Sequence, residues 1–229
     1  MKTGIGNLFI LGDSYSTFEG WNPQGYATYY QSEGPHYRTK IGEAVDPKSD
    51  VCRVEQTWWH PFIQTTDANL LLNCSWSGTT VCNTGYDGVD ACNKSFIARL
   101  DRLIEQGYFL KNRVDTLILF GGTNDSWAKS PLGERMYADW KKEDLYSVLP
   151  AIGYLFHRLV ECLPETRLLC VINSKLRPEI TEGLVSACEH YGVDYVVLKD
   201  IDKISGHPTI LGMKQIGEQI LDRLTCGLK

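Results

Sequence analysis

No lysine- and arginine-rich run appears anywhere in the 229 residues, and 23 basic against 28 acidic side chains leave a formal net charge of −5. That balance gives no electrostatic footprint for a phosphate backbone, so nucleic acid is not an expected partner. No apolar run is long enough to span a bilayer, so no membrane partner is expected either. Cys-x-x-Cys is missing despite eight cysteines, which argues against a zinc ribbon or a thioredoxin-type redox site. His36, His60, His157 and His190 show no His-x-x-x-His or comparable ligand spacing. Neither a metal nor a cofactor is therefore expected. The start of the chain, Met1 to Asn7, is polar and Gly-rich, without a signal peptide's apolar segment and small-residue cleavage site. The expected location is the cytoplasm, with an export signal removed ahead of Met1 as the alternative. No repeat or low-complexity linker divides the chain.

What is present is an ordinary globular composition, 43% hydrophobic and 22% charged, at a length suited to one well-buried domain over 1–229. Short apolar runs alternate with amphipathic segments, the pattern of a parallel sheet covered on both faces. Strands are expected near 7–12, 69–74, 114–120, 167–172 and 193–198, and helices near 94–107, 144–163, 178–190 and 209–225. The fold class that follows is α/β, a single doubly wound, flavodoxin-like parallel sheet of five strands with helices on both faces. Residues 19–65 break the rhythm as an aromatic-rich insertion holding Trp21, Tyr26, Tyr29, Tyr30, Tyr37, Trp58 and Trp59. So long a segment is either a binding loop or a satellite cluster burying its own rings. A second irregular stretch, 126–143, holds Trp127, Tyr137 and Trp140 and is expected to wall the same pocket from the other side. Cys162, Cys170 and Cys188 sit in apolar patterns where a free thiol behaves as a small hydrophobe; a disulfide among Cys74, Cys82 and Cys92 stays open.

Three strand ends carry chemistry. Gly12-Asp13-Ser14 follows Leu8–Leu11, Gly121-Gly122-Thr123-Asn124-Asp125 follows Val114–Phe120, and Gly206-His207-Pro208 comes shortly after Tyr195–Leu198. In open α/β sheets ligands bind at that edge. Taken singly, each residue has an ordinary explanation: Ser14 as a helix N-cap, Asn124 bonding its own loop, His207 in a surface turn, Gly78 as a flexible position. Taken together, a serine, an amide and a histidine are the parts of an acyl-transfer site. A hydroxyl becomes a nucleophile when a near-neutral imidazole removes its proton. Each donor held at the developing oxyanion is worth roughly 3 kcal/mol. Asp13 and Asp125, beside the reactive positions, are expected to bond nearby backbone N–H groups rather than act in catalysis.

In this order the segments resemble the SGNH hydrolases, or GDSL esterase/lipase family. Gly12-Asp13-Ser14 is similar to the first block, Asn73-Cys74-Ser75-Trp76-Ser77-Gly78 to the second, Gly122-Thr123-Asn124-Asp125 to the third, and His207-Pro208 with Gly212-Met213 to the last. The resemblance implies Ser14 as nucleophile, Gly78 and Asn124 as oxyanion donors and His207 as general base. One position departs from it. The family's Asp-x-x-His has Ile204 in place of its acid. The backbone carbonyl of Ile204 or a neighbour would then orient the ring, or Asp202 or Asp200 would substitute as third member, or the site would be weak or disabled. The implied activity is hydrolysis of an O-acyl ester through a Ser14 acyl-enzyme. The aromatic stretches favour a carbohydrate O-acetyl ester, with Trp58, Trp59 and Trp127 as substrate-binding residues. A lipid esterase, a thioesterase or a non-catalytic carbohydrate-binding module on the same fold is the alternative.

Overall fold

The computed structural model describes residues 4–32 and 49–225. His36, Tyr37 and Cys226 lie outside the described residues, as does the middle of the 19–65 insertion. Five parallel strands form one sheet in the order β2-β1-β3-β4-β5: β1 (Asn7–Gly12), β2 (Asn69–Ser75), β3 (Thr116–Gly121), β4 (Arg167–Ile172) and β5 (Asp194–Val197). All six residues of β3 are buried. A parallel strand covered on both faces reads as a continuous apolar run, which is why the sequence located these strands.

Alternate residues serve two cores. Phe9, Leu11, Leu117, Leu119, Cys170 and Ile172 face one side, under α2 (Phe96–Glu105), α5 (Val148–Cys162) and α6 (Pro178–Tyr191). Leu8, Ile10, Ile118, Phe120, Leu169 and Val171 face the other, under α1 (Trp59–Thr66) and α7 (Ile210–Thr225). Two short helices, α3 (Tyr108–Lys111) and α4 (Thr123–Trp127), precede and follow β3. The sheet order reverses direction between β1 and β3, so the crevice beyond their carboxyl ends is the switch point where such sheets bind ligands. No helix among the described residues is long and apolar enough to cross a membrane.

Part of the 19–65 segment is regular. α1 begins at Trp59, with Pro61 in its first turn, where the missing N–H costs no hydrogen bond. After β5 the chain makes a hairpin of two-residue strands, β6 (Lys203–Ile204) and β7 (His207–Pro208), around Ser205 and Gly206. Both turn residues have positive φ, 49° and 82°, as a tight two-residue hairpin turn demands. Among the described residues all seven cysteines are free thiols, with Cys74, Cys82, Cys170 and Cys188 buried, Cys52 and Cys162 half-buried and Cys92 exposed.

Candidate active site

Ser14 opens a single 3-10 turn directly behind β1, and His207 sits at the start of β7. The two are 193 residues apart in sequence, yet Ser14 Oγ and His207 Nε2 are 3.0 Å apart. Both are buried, at 1% and 9% exposure. Asp13 caps the turn, its Oδ1 accepting from Tyr15 N–H at 3.1 Å, so this carboxylate shapes the backbone around the serine. Burial pushes the Asp13 carboxyl up to about 7, partly offset by the Tyr15 N–H and by the nearby Arg99 charge. Asp125 likewise accepts from Val81 N–H and Cys82 N–H at 2.8–3.1 Å, and burial raises its carboxyl too.

Aromatic rings fix the imidazole. Tyr29 stacks on it with ring centres 3.5 Å apart and planes 8° apart, and Trp127 meets it edge-on at 5.3 Å. The Tyr15 hydroxyl donates to the carbonyl of Gly206 and the Tyr30 hydroxyl to that of Pro208, gripping the backbone on both sides of the histidine. Lys203 ties the same hairpin to the end of β4, donating to Asn173 Oδ1 at 2.9 Å and Ser174 Oγ at 3.0 Å. Burial, together with the Lys175 charge, lowers its ammonium to about 8.

The hairpin register places the family's acid position and its proposed substitute. Ile204 pairs with His207 and Lys203 with Pro208, which leaves Asp202 opposite Thr209. The Asp202 carboxylate accordingly accepts from the Thr209 hydroxyl, and Thr209 in turn accepts from Gly212 N–H at the start of α7. Asp202 thus supports the helix after the histidine, two pairs removed from the one that holds His207.

Gly78 follows β2 with φ 77°, and a side chain there would project into open space rather than protein. Neither Ser14 N–H nor Gly78 N–H donates to an acceptor among the described residues, an unusual state for a backbone donor. Asn124, 2% exposed in the first turn of α4, has its Nδ2 on the Thr79 carbonyl at 3.0 Å and its Oδ1 accepting from the Tyr86 hydroxyl at 2.8 Å. The stretch from Cys74 to Thr79, which carries Gly78, is braced by Arg99. This fully buried guanidinium donates to the Cys74 carbonyl and, at 3.1 Å, to Thr79 Oγ1.

Two expectations are corrected. Trp58 and Trp59 are 1% and 0% exposed, so neither offers a face to a ligand. Trp58 packs on Phe62 and Phe120 and donates to Ser16 Oγ at 3.1 Å, holding the serine turn as part of the core. In the 126–143 stretch only Trp127, 40% exposed, flanks the histidine. Tyr137 stacks on His190, and Trp140 packs against Tyr154 and His157, over α5 and α6. Sequence reasoning missed Tyr86, Tyr29's stacking role and Arg99. Of these, only Arg99 left a signal, a charge three residues from Phe96 on the apolar stripe of α2.

A family model described as GDSL-like lipase/acylhydrolase matches residues 6–224. No curated protein matches the chain. Among solved structures, a protein described as a GDSL-like lipase from Bacteroides ovatus is 42% identical over 94% of this chain and 96% of its own, with TM-score 0.83. A second, from Bacteroides uniformis, is 39% identical over 96% of each chain, with TM-score 0.84. A family two carbohydrate esterase from Clostridium thermocellum, solved with cellohexaose, has TM-score 0.62 at 16% identity, over 97% of this chain and 64% of its own. At that identity the likeness is one of fold. With the family model matched across nearly the whole length and both Bacteroides relatives aligned end to end, the chain belongs to the GDSL-like lipase/acylhydrolase family.

Proposed function

We propose that this chain is a single-domain serine esterase acting through a Ser14 acyl-enzyme, and that its substrate is a carbohydrate O-acetyl ester. The 3.0 Å approach of Ser14 Oγ to His207 Nε2 at the switch point carries the reading. His207 Nε2 takes the hydroxyl proton as Ser14 Oγ attacks the ester carbonyl. Negative charge on the former carbonyl oxygen is met by the uncommitted N–H groups of Ser14 and Gly78 and by the second Nδ2 hydrogen of Asn124. His207 then returns the proton to the departing alcohol, and water attacks the acyl-enzyme by the same route in reverse. Trp127 and Tyr86, each 40% exposed beside these residues, supply faces on which a sugar ring can stack. The carbohydrate esterase among the fold relatives points the same way.

The decisive experiment is p-nitrophenyl acetate hydrolysis by wild type and Ser14→Ala, with mass spectrometry after fluorophosphonate treatment. Hydrolysis and a single adduct on Ser14, both lost in the variant, are expected. A folded wild type that neither turns over nor labels would refute the esterase reading. Comparing acetylated sugars with long-chain acyl esters then tests the substrate class, with preference for the long chains opposing the carbohydrate assignment.

A further inference from the structure

The oxyanion amide of Asn124 is oriented by two partners, and only one of them has a role so far. The Thr79 carbonyl can only accept, so the Asn124 group facing it at 3.0 Å is Nδ2. Oδ1 therefore faces Tyr86, and at 2.8 Å the phenol must be the donor. From these contacts we infer that Tyr86 is a positioning residue for ester hydrolysis: its hydroxyl holds the Asn124 amide so that the second Nδ2 hydrogen faces the oxyanion. The assignment rests on the esterase reading above and adds a residue outside the four sequence blocks.

The loop carrying Tyr86 is built to hold that hydroxyl in place. Thr84 and Asp90 pair across it, Gly85 N–H donates to the Val89 carbonyl at 2.8 Å, and Asp87 and Gly88 turn the chain with positive φ of 56° and 73°. Its base is tied to the stretch before α5. Thr84 Oγ1 donates to the Tyr146 carbonyl at 2.6 Å, and Ser130 Oγ donates to the Thr84 carbonyl at 2.9 Å. The phenol also stays protonated: burial first, then the charges of Asp13 and Asp125, push it up to about 12. A donor to Oδ1 withdraws electron density through the amide, which strengthens the Nδ2–H as a donor in turn. Without it, Asn124 keeps Thr79 but is free to rotate.

The test compares Tyr86→Phe and Tyr86→Leu with wild type on p-nitrophenyl acetate, with thermal melts to confirm folding. Both variants lose the hydroxyl, and only the first keeps the ring. We expect kcat to fall about tenfold in each, the worth of one hydrogen bond, with KM within twofold of wild type. In an Asn124→Ala background, itself slower by roughly a hundredfold or more, Tyr86→Phe should cost nothing further, which a merely structural role would not produce. Wild-type kcat in folded Tyr86→Phe, or an undiminished loss without Asn124, would overturn the assignment and leave the esterase reading intact. A wild type that neither hydrolyses the ester nor labels at Ser14 would overturn both.

Discussion

The general base proposed at His207 must present one nitrogen in one direction, and much of that restraint is carbon. Tyr29 lies flat on one face and Trp127 closes the edge. Trp127 also has 40% of its surface free, whereas Trp58 has almost none. The two tryptophans should therefore separate cleanly. Trp127→Ala is expected to raise KM for an acetylated sugar about tenfold, the scale of one lost stacking face, with a smaller change for p-nitrophenyl acetate. Trp58→Phe should leave both KM values within twofold and lower stability by about 1–2 kcal/mol, through the lost Ser16 hydrogen bond and the void left by the smaller ring. Steady-state kinetics beside urea denaturation read both effects. A KM effect at Trp58 would restore it as a ligand contact. Asp202 is a third residue-scale case. Its carboxylate holds Thr209, so Asp202→Asn should keep kcat within about threefold, a fraction of one charged hydrogen bond. A fall of several orders of magnitude in a folded variant would make it the third catalytic member.

At the scale of elements, the β6–β7 hairpin decides where the His207 ring stands, and Ser205-Gly206 decides the hairpin. A Cβ on Gly206 would carry φ 82° and meet the Trp127 ring at 3.0 Å. Gly206→Ala is expected to destabilise the fold by more than about 1 kcal/mol, and to cut kcat more than it changes KM, because the histidine moves with the turn. An unchanged kcat would mean that the hairpin does not set the ring. This element also marks the limit of the sequence. Buried strands announced themselves as unbroken apolar runs, and 7–12 and 167–172 coincide with β1 and β4. Two-residue strands carry no periodicity, so His207 was legible as a residue and its hairpin was not. α1 was hidden for a related reason: eight residues opening on Trp59, directly after Trp58, look like more of the aromatic segment before them. Tyr29 and Tyr86 were illegible because their partners, His207 and Asn124, are 178 and 38 residues away, and nothing local requires either contact.

Across the whole molecule, the turn that carries Ser14 rests on buried titratable groups. Asp13, Asp125 and Arg99 are each at most 1% exposed, and Arg99 braces the Cys74 carbonyl and Thr79 while its charge acts on Asp13. Desolvation dominates at Asp13 and raises its carboxyl from 3.8 to about 7 on folding. Between those values the folded state keeps a proton that the unfolded chain has released. Stability therefore falls as pH rises through that window and levels off above it. Integrated over the shift, the fall is roughly 4 kcal/mol. Asp13→Asn keeps an oxygen for Tyr15 N–H and has no charge to lose, so it should match wild type near pH 4 and exceed it increasingly up to pH 8. Urea denaturation of both proteins across that range isolates the contribution, because every other titrating group is common to the pair. Parallel stability curves would mean that Asp13 is already ionised in the folded protein at low pH, with Arg99 as its effective counter-charge. The serine turn would then rest on an ion pair instead of a buried acid.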